Sequence, residues 1–105
     1  MHIVLTDEIK TYLKSLTRPG ELAQAYRYFE RQQELAYRLK GPVSKPLRDG
    51  INEIRPGPHR FLFFYHGRQI IIVHAFRKKS RATPAREIDQ AIKKRALCLN
   101  EEETK

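Results

Sequence analysis

The chain has 105 residues, 40% of them hydrophobic and 31% charged, a length for one domain (1–105) and too short for two. No apolar run approaches the ~18–20 residues of a membrane span, the first residues do not read as a secretory signal, and the single cysteine, Cys98, excludes an intramolecular disulfide framework or a cysteine-based zinc site. Lys and Arg number 21 against 12 Asp and Glu, a net +9, and a small domain with that excess meets a polyanion, which means nucleic acid or an anionic membrane surface.

His2 to Leu5 is short, apolar and β-prone and reads as a first strand. Thr6 is a good N-cap, with Asp7 and Glu8 in the first turn, where they favour the helix dipole. Ile9, Tyr12, Leu13 and Leu16 follow at i, i+3, i+4 and i+7, which predicts a helix near 6–17. Arg18-Pro19-Gly20 breaks it, and a second helix near 21–39 carries Leu22, Tyr26, Phe29, Ala36 and Leu39 on one stripe. The two form a hairpin whose aromatics keep the helical period and so belong to the core.

Gly41 to Pro46 is a loop by composition, and the pattern then turns to β. Strands are predicted near 51–55, 60–66 and 69–77, joined by Pro56-Gly57-Pro58 and by Gly67-Arg68, as an antiparallel meander. Thr83 caps a last helix near 84–98, with Pro84 in the first position, Ile88, Ala91, Ile92, Ala96 and Leu99 on its apolar side, and Glu101 to Glu103 as a frayed tail. The order β-α-α-β-β-β-α gives an α+β fold with the helical hairpin on one sheet face. The other face and the rim near the last helix are left for basic residues.

Residues 77–95 carry eight basic and two acidic side chains, so +6 of the +9 falls in this stretch. A solvated face would mix its signs, and this one suits phosphates. Side chains alternate along strands, so Glu53 and Arg55 share a face, as do Arg60, Leu62 and Phe64. Arg60 sits at its strand's entry, where partial exposure is expected and where Arg60→Ala is expected to leave folding normal, since such an arginine carries little core area. Antiparallel pairing returns Arg77-Lys78-Lys79 beside Arg60, and the Pro-Gly-Pro turn brings Arg55 near it, so three segments converge on one cationic patch. His2, His59, His66 and His74 show no metal-ligand spacing, and no nucleophilic triad or phosphate-binding glycine loop is present. His59 flanks Arg60, His66 is a turn residue, and His74 lies inside an apolar strand.

Lys45-Pro46-Leu47, then Gly50-Ile51-Asn52-Glu53-Ile54-Arg55, Arg60-Phe61-Leu62, His74-Ala75-Phe76-Arg77-Lys78-Lys79 and Thr83-Pro84 follow one another in an order and spacing that resembles the HigB branch of the RelE toxin superfamily, which includes phage-derived toxin-like proteins. The motifs span about residues 40–96. His59 departs from the tyrosine or phenylalanine that commonly precedes the arginine, Arg55 leads into a Pro-rich turn, and Ile88 stands where a RelE-type protein carries a tyrosine. The resemblance implies a RelE-like microbial RNase fold with a twisted, mainly antiparallel four-stranded sheet. It implies a type II toxin, a ribosome-dependent mRNA endonuclease working in the cytoplasm with no metal or cofactor. It also implies a helix-turn-helix antitoxin as partner, operator DNA being met only through that antitoxin.

Carried over by position, Arg60 is the main phosphate clamp and Arg55 its partner. Lys78 and Lys79 hold the scissile or flanking phosphate, and Lys45 is a loop residue near the site. His74 joins Arg60, Arg55 and Lys78 as a catalytic candidate; Lys45, Arg77, Lys79 and Arg81 are the RNA-binding candidates. Among titrating groups, His59, His74 and Glu53 are the candidates for proton transfer, with Glu53 better suited to orient Arg55. A non-catalytic, phage-derived nucleic-acid-binding module needs the same cations and is the competing reading. An anionic-membrane binder fits less well, because no basic amphipathic helix opens the chain.

Overall fold

A computed structural model describes residues 2–38 and 44–103. In chain order the elements are β1 (His2–Leu5), α1 (Asp7–Lys14), α2 (Glu21–Arg38), β2 (Ser44–Pro46), β3 (Asn52–Ile54), β4 (His59–His66), β5 (Gln69–Arg77) and α3 (Ala85–Glu103). The expected end of the second helix at Leu39 and the expected loop at Gly41 to Val43 lie outside the described residues.

The α+β class holds, and the sheet differs from the four-stranded one expected. It has five strands in the order β1-β5-β4-β3-β2. β1 runs parallel to β5, and the remaining neighbours are antiparallel, so the sheet is mixed. The extra strand comes from the segment read as a loop: Ser44 pairs with Ile54, Lys45 with Glu53 and Pro46 with Asn52. Proline is tolerated there because β2 is an edge strand, where a missing N–H breaks no ladder.

Each sheet face carries its own core. On one side α1 and α2 set Ile9, Leu13, Ala25 and Phe29 against Ile54, Phe61, Phe63, Ile70 and Ile72. On the other, Ile88 and Ala91 of α3 meet Ile51, Leu62, Phe64, Ile71 and Val73. The face expected to be open for basic residues is therefore covered by α3, because β4 and β5 are apolar on both sides and each side needs a partner layer. The α2 stripe is also turned from the expected one: Ala25, Phe29 and Gln32 are buried, whereas Leu22 and Tyr26 stay exposed.

Local signals at the helix ends work differently from their reading. Thr6 has extended N-cap geometry and its carbonyl accepts from Lys10 N–H, yet its hydroxyl makes no capping bond. Pro84, not Thr83, carries the start of α3, its carbonyl accepting from the N–H groups of Glu87 and Ile88. α1 ends at Lys14, earlier than 17, and α3 continues through Glu101 to Glu103 rather than fraying.

One irregularity sets the site. The β4–β5 register shifts between Leu62 and Phe63, so Leu62 faces His74 while Phe63 faces Ile72. Val73 is the extra residue of a bulge, which breaks the alternation of side chains. Val73 packs in the α3-side core, and His74 bonds to two α3 side chains, so two consecutive residues serve the same face.

Phe61 is fully buried, edge-on to Tyr12 and to Phe29 at ring separations of 5.6 and 5.0 Å. Phe61→Ala is expected to cost about 3–5 kcal/mol, read as a lowered urea midpoint at unchanged slope.

Candidate functional site

Across the sheet, Lys45, Glu53, Leu62 and His74 stand in one row, since each is register partner of the next. Direct partners point to the same face, here the α3 face. Arg55 lies two residues beyond Glu53, and Arg60 two before Leu62 and opposite Phe76, so both belong to that face at the end of the sheet where α3 begins.

Between them runs the Pro56-Gly57-Pro58 turn. Gly57 has φ of +61°, so the backbone calls for glycine, while the Gln24 amide that a Cβ would meet at 2.9 Å is the end of a flexible side chain that can move aside. Arg60 secures this turn: its Nη1 donates to the carbonyls of Gly57 and His59, each at 2.8 Å. The residue is only 6% exposed, which corrects the expected partly exposed arginine whose removal leaves folding untouched. Its other guanidinium nitrogens make no hydrogen bond among the described residues.

Glu53 is fully buried. A carboxylate out of water is costly unless its oxygens are occupied, and here both are. Arg55 Nε donates to Oε1 and Thr83 Oγ donates to Oε2. Arg55 Nη2 also donates to the Arg81 carbonyl at 3.4 Å. Glu53 thus ties β3 to the segment 78–84, which Lys78 N–H anchors to the Pro58 carbonyl at 2.8 Å.

That segment, the end of β5 and the first turn of α3 wall a cleft of about 410 Å³. Six of its lining residues are cationic (Arg60, Arg77, Lys78, Lys79, Arg81 and Arg86), against one carboxylate, Glu87. Burial, and then the nearby Arg55 charge, hold the Arg60 guanidinium below its usual range, partly offset by Glu53. Arginine starts so far above neutrality that the group stays charged. An anion entering the cleft would meet fixed positive charge whose mutual repulsion it relieves.

Five of the residues picked out in the sequence therefore meet in this cleft: Arg60, Arg77, Lys78, Lys79 and Arg81. Arg77 lines it from the sheet's end, its register position opposite His59 belonging to the other face. Arg55 stands beside it through Arg81. Lys45 is exposed on the edge strand, across β3 from the cleft. His74 lies under α3, 8% exposed and off the cleft wall. Its Nδ1 accepts from Lys94 Nζ at 2.7 Å and its Nε2 faces Glu87 Oε1 at 3.3 Å. Burial, followed by the Lys94 charge, lowers its pKa, so the ring is neutral at pH 7 and its partners assign the proton to Nε2.

His59 is not at the cleft at all. It alternates to the opposite face, 2% exposed, where Tyr12 Oη donates to Nδ1 at 2.7 Å and Glu21 Oε2 lies 3.5 Å from Nε2. Burial pushes the Tyr12 phenol up, against the pull of Arg77, which keeps its proton available for that bond. Sequence reasoning passed over Arg86, Glu87 and Lys94. Their signal was position, since Arg86 and Glu87 directly follow the Thr-Pro that starts α3. Among the described residues, no three His, Cys, Asp or Glu side chains come close enough to hold a metal ion, and no helix is long and apolar enough to cross a membrane.

A family model described as phage-derived protein Gp49-like (DUF891) matches residues 11–96, which include every residue lining the cleft. No curated protein matches the chain.

Proposed function

The chain belongs to the phage-derived Gp49-like family, a RelE/HigB-like toxin type, and from that premise we propose that it is the toxin of a type II toxin–antitoxin pair, of the HigB branch, which cleaves mRNA on the ribosome without a metal. The observation that carries this reading is the gathering of six cationic residues around one cleft at the end of the sheet.

RNA can be cleaved by its own ribose 2′-hydroxyl attacking the adjacent phosphate, which leaves a 2′,3′-cyclic phosphate and a 5′-hydroxyl. Negative charge grows on the phosphoryl oxygens in the transition state, so fixed donors aimed there stabilise it more than the ground state. In this reading Arg60 is the principal clamp, because a planar guanidinium matches two phosphate oxygens at once. Arg55 sets the field beside it, and Lys78 holds the scissile phosphate. Arg77, Lys79 and Arg81 hold flanking phosphates, and Lys45 meets the RNA farther along the sheet. His74 acts from behind the cleft wall. The partner is a helix-turn-helix antitoxin that covers or distorts this patch, and the site of action is the cytoplasm.

The test is in-vitro translation with purified protein. Primer extension should map new mRNA ends that appear only when ribosomes are present, and the upstream products should carry cyclic phosphate. Ribosome or RNA binding without any new ends would favour the non-catalytic binding module. Affinity should also depend on salt: six phosphate contacts give a log–log slope of about −4, a loss of roughly 10²–10³-fold between 50 and 200 mM. Binding that stays flat over that range would remove the polyanion from the reading.

A further inference from the structure

The cleft contains one carboxylate among its cations, and that carboxylate is held by a chain of polar side chains crossing three elements. Glu8 of α1 accepts from Lys94 Nζ at 2.7 and 2.6 Å. Lys94 of α3 donates to His74 Nδ1 at 2.7 Å, and His74 of β5 presents Nε2 to Glu87 Oε1 at 3.3 Å. The chain has a direction. An ammonium has only donors, so Nδ1 of His74 must accept, and the ring proton must sit on Nε2. Nε2–H then donates to Glu87 Oε1. Oε2 makes no hydrogen bond among the described residues, and the Glu87 side chain keeps 18% of its surface exposed where it lines the cleft.

A carboxylate among six cations weakens phosphate binding. Its presence at the wall, oriented by a buried histidine, calls for a role that phosphate binding alone does not give it. We propose that Glu87 is the proton acceptor for the ribose 2′-hydroxyl in this cleft, and that His74 is the residue that positions it. The inference rests on the nuclease reading and deepens it. In the step it describes, the 2′-hydroxyl gives its proton to the Glu87 carboxylate as the 2′-oxygen bonds to phosphorus. The bond from phosphorus to the 5′-oxygen breaks, its electron pair stays on that oxygen, and the oxygen takes a proton from water in the open cleft. The hydroxide so formed recovers the proton from Glu87, and the site returns to its starting state. His74 keeps its proton throughout, which suits a neutral ring fixed on both sides.

The charged groups facing Glu87 are Arg60 of β4, Arg77 of β5, Lys78, Lys79 and Arg81 of the following segment, and Arg86 of α3, with His74, Lys94 and Glu8 behind it. The measurement is single-turnover cleavage of a defined mRNA on programmed ribosomes, across pH, together with ribosome affinity. Glu87→Gln keeps the shape of the side chain and is expected to slow cleavage by roughly 10²–10⁴-fold while affinity holds or rises. It should also lose the acidic limb of the pH–rate profile. His74→Leu, which removes the donor, is expected to slow cleavage by roughly tenfold, and His74→Gln, whose amide places an N–H near the Nε2 position, to restore most of that loss. Glu87→Gln cleaving at the wild-type rate would overturn the assignment while leaving the nuclease reading intact. If Glu87→Gln does not fold, Glu87→Ala decides, since cleavage by that variant at the wild-type rate per folded molecule also overturns the assignment. A wild-type protein that occupies ribosomes and leaves the message whole would overturn the nuclease reading itself, and Glu87 with it.

Discussion

Replacing Arg60 with alanine is expected to lower mRNA cleavage by roughly 10²–10³-fold and to abolish growth arrest at matched protein abundance. Two effects add in this variant. The first is loss of one of the cationic residues that line the cleft. The second is structural, because Nη1 also holds the carbonyls of Gly57 and His59. Removing a charged donor from these two carbonyls, one part-buried and one buried, costs about 1–3 kcal/mol. That is a measurable loss of stability, and at a typical domain stability of about 5–15 kcal/mol it leaves most of the protein folded. The two effects separate by dividing the cleavage rate by the folded fraction from a urea titration. Arg60→Lys restores the charge without the fork, so it should recover only part of the activity. Cleavage by Arg60→Ala at the wild-type rate per folded molecule would displace Arg60 from the site.

The helices were legible because Ile9 and Leu13, and later Ile88 and Ala91, recur at helical spacing, and helical spacing is a local property. The β4–β5 hairpin was legible for the same reason: Gly67-Arg68 lies between two apolar runs and fixes their register. From antiparallel pairing followed the meeting of Arg60 with the Arg77–Lys79 end of β5, although the bulge sets Arg60 opposite Phe76 rather than Ala75. What stayed hidden depends on partners distant in the chain. Ser44 to Pro46 contains a proline and little apolar surface, and it becomes a strand only because β3 offers an edge. The Val73 bulge has no local signature, yet it turns His74 toward α3. Glu87 was unread as a site residue because its meaning comes from His74, which lies 13 residues earlier and in another layer. His59 was misplaced for a different reason. Strand alternation already put it on the face opposite Arg60, and its nearness in sequence to Arg60 outweighed that rule.

Breaking the Glu53 cluster is expected to have the largest effect on stability of any polar substitution at the site. Glu53→Ala strips the partner from Arg55 Nε and from Thr83 Oγ together and leaves a void in a fully buried position. Breaking a wholly buried ion pair costs about 3–5 kcal/mol, and because the Arg55 side chain left behind is 36% exposed the loss here is expected below that, about 2–4 kcal/mol. Glu53→Gln keeps the volume and one acceptor oxygen. It removes the charge that offsets Arg55 and Arg60, so the loss should be smaller, about 1–3 kcal/mol. Its effect on cleavage should exceed its effect on folding, because Glu53 joins β3 to the 78–84 segment that carries Lys78, Lys79 and Arg81 into the cleft. A double-mutant cycle checks the geometry: with Glu53→Ala and Thr83→Val, urea unfolding should give a coupling energy of about 0.5–3 kcal/mol. Strictly additive losses would mean that Thr83 and Glu53 act separately, and the segment bearing the lysines would then need another anchor.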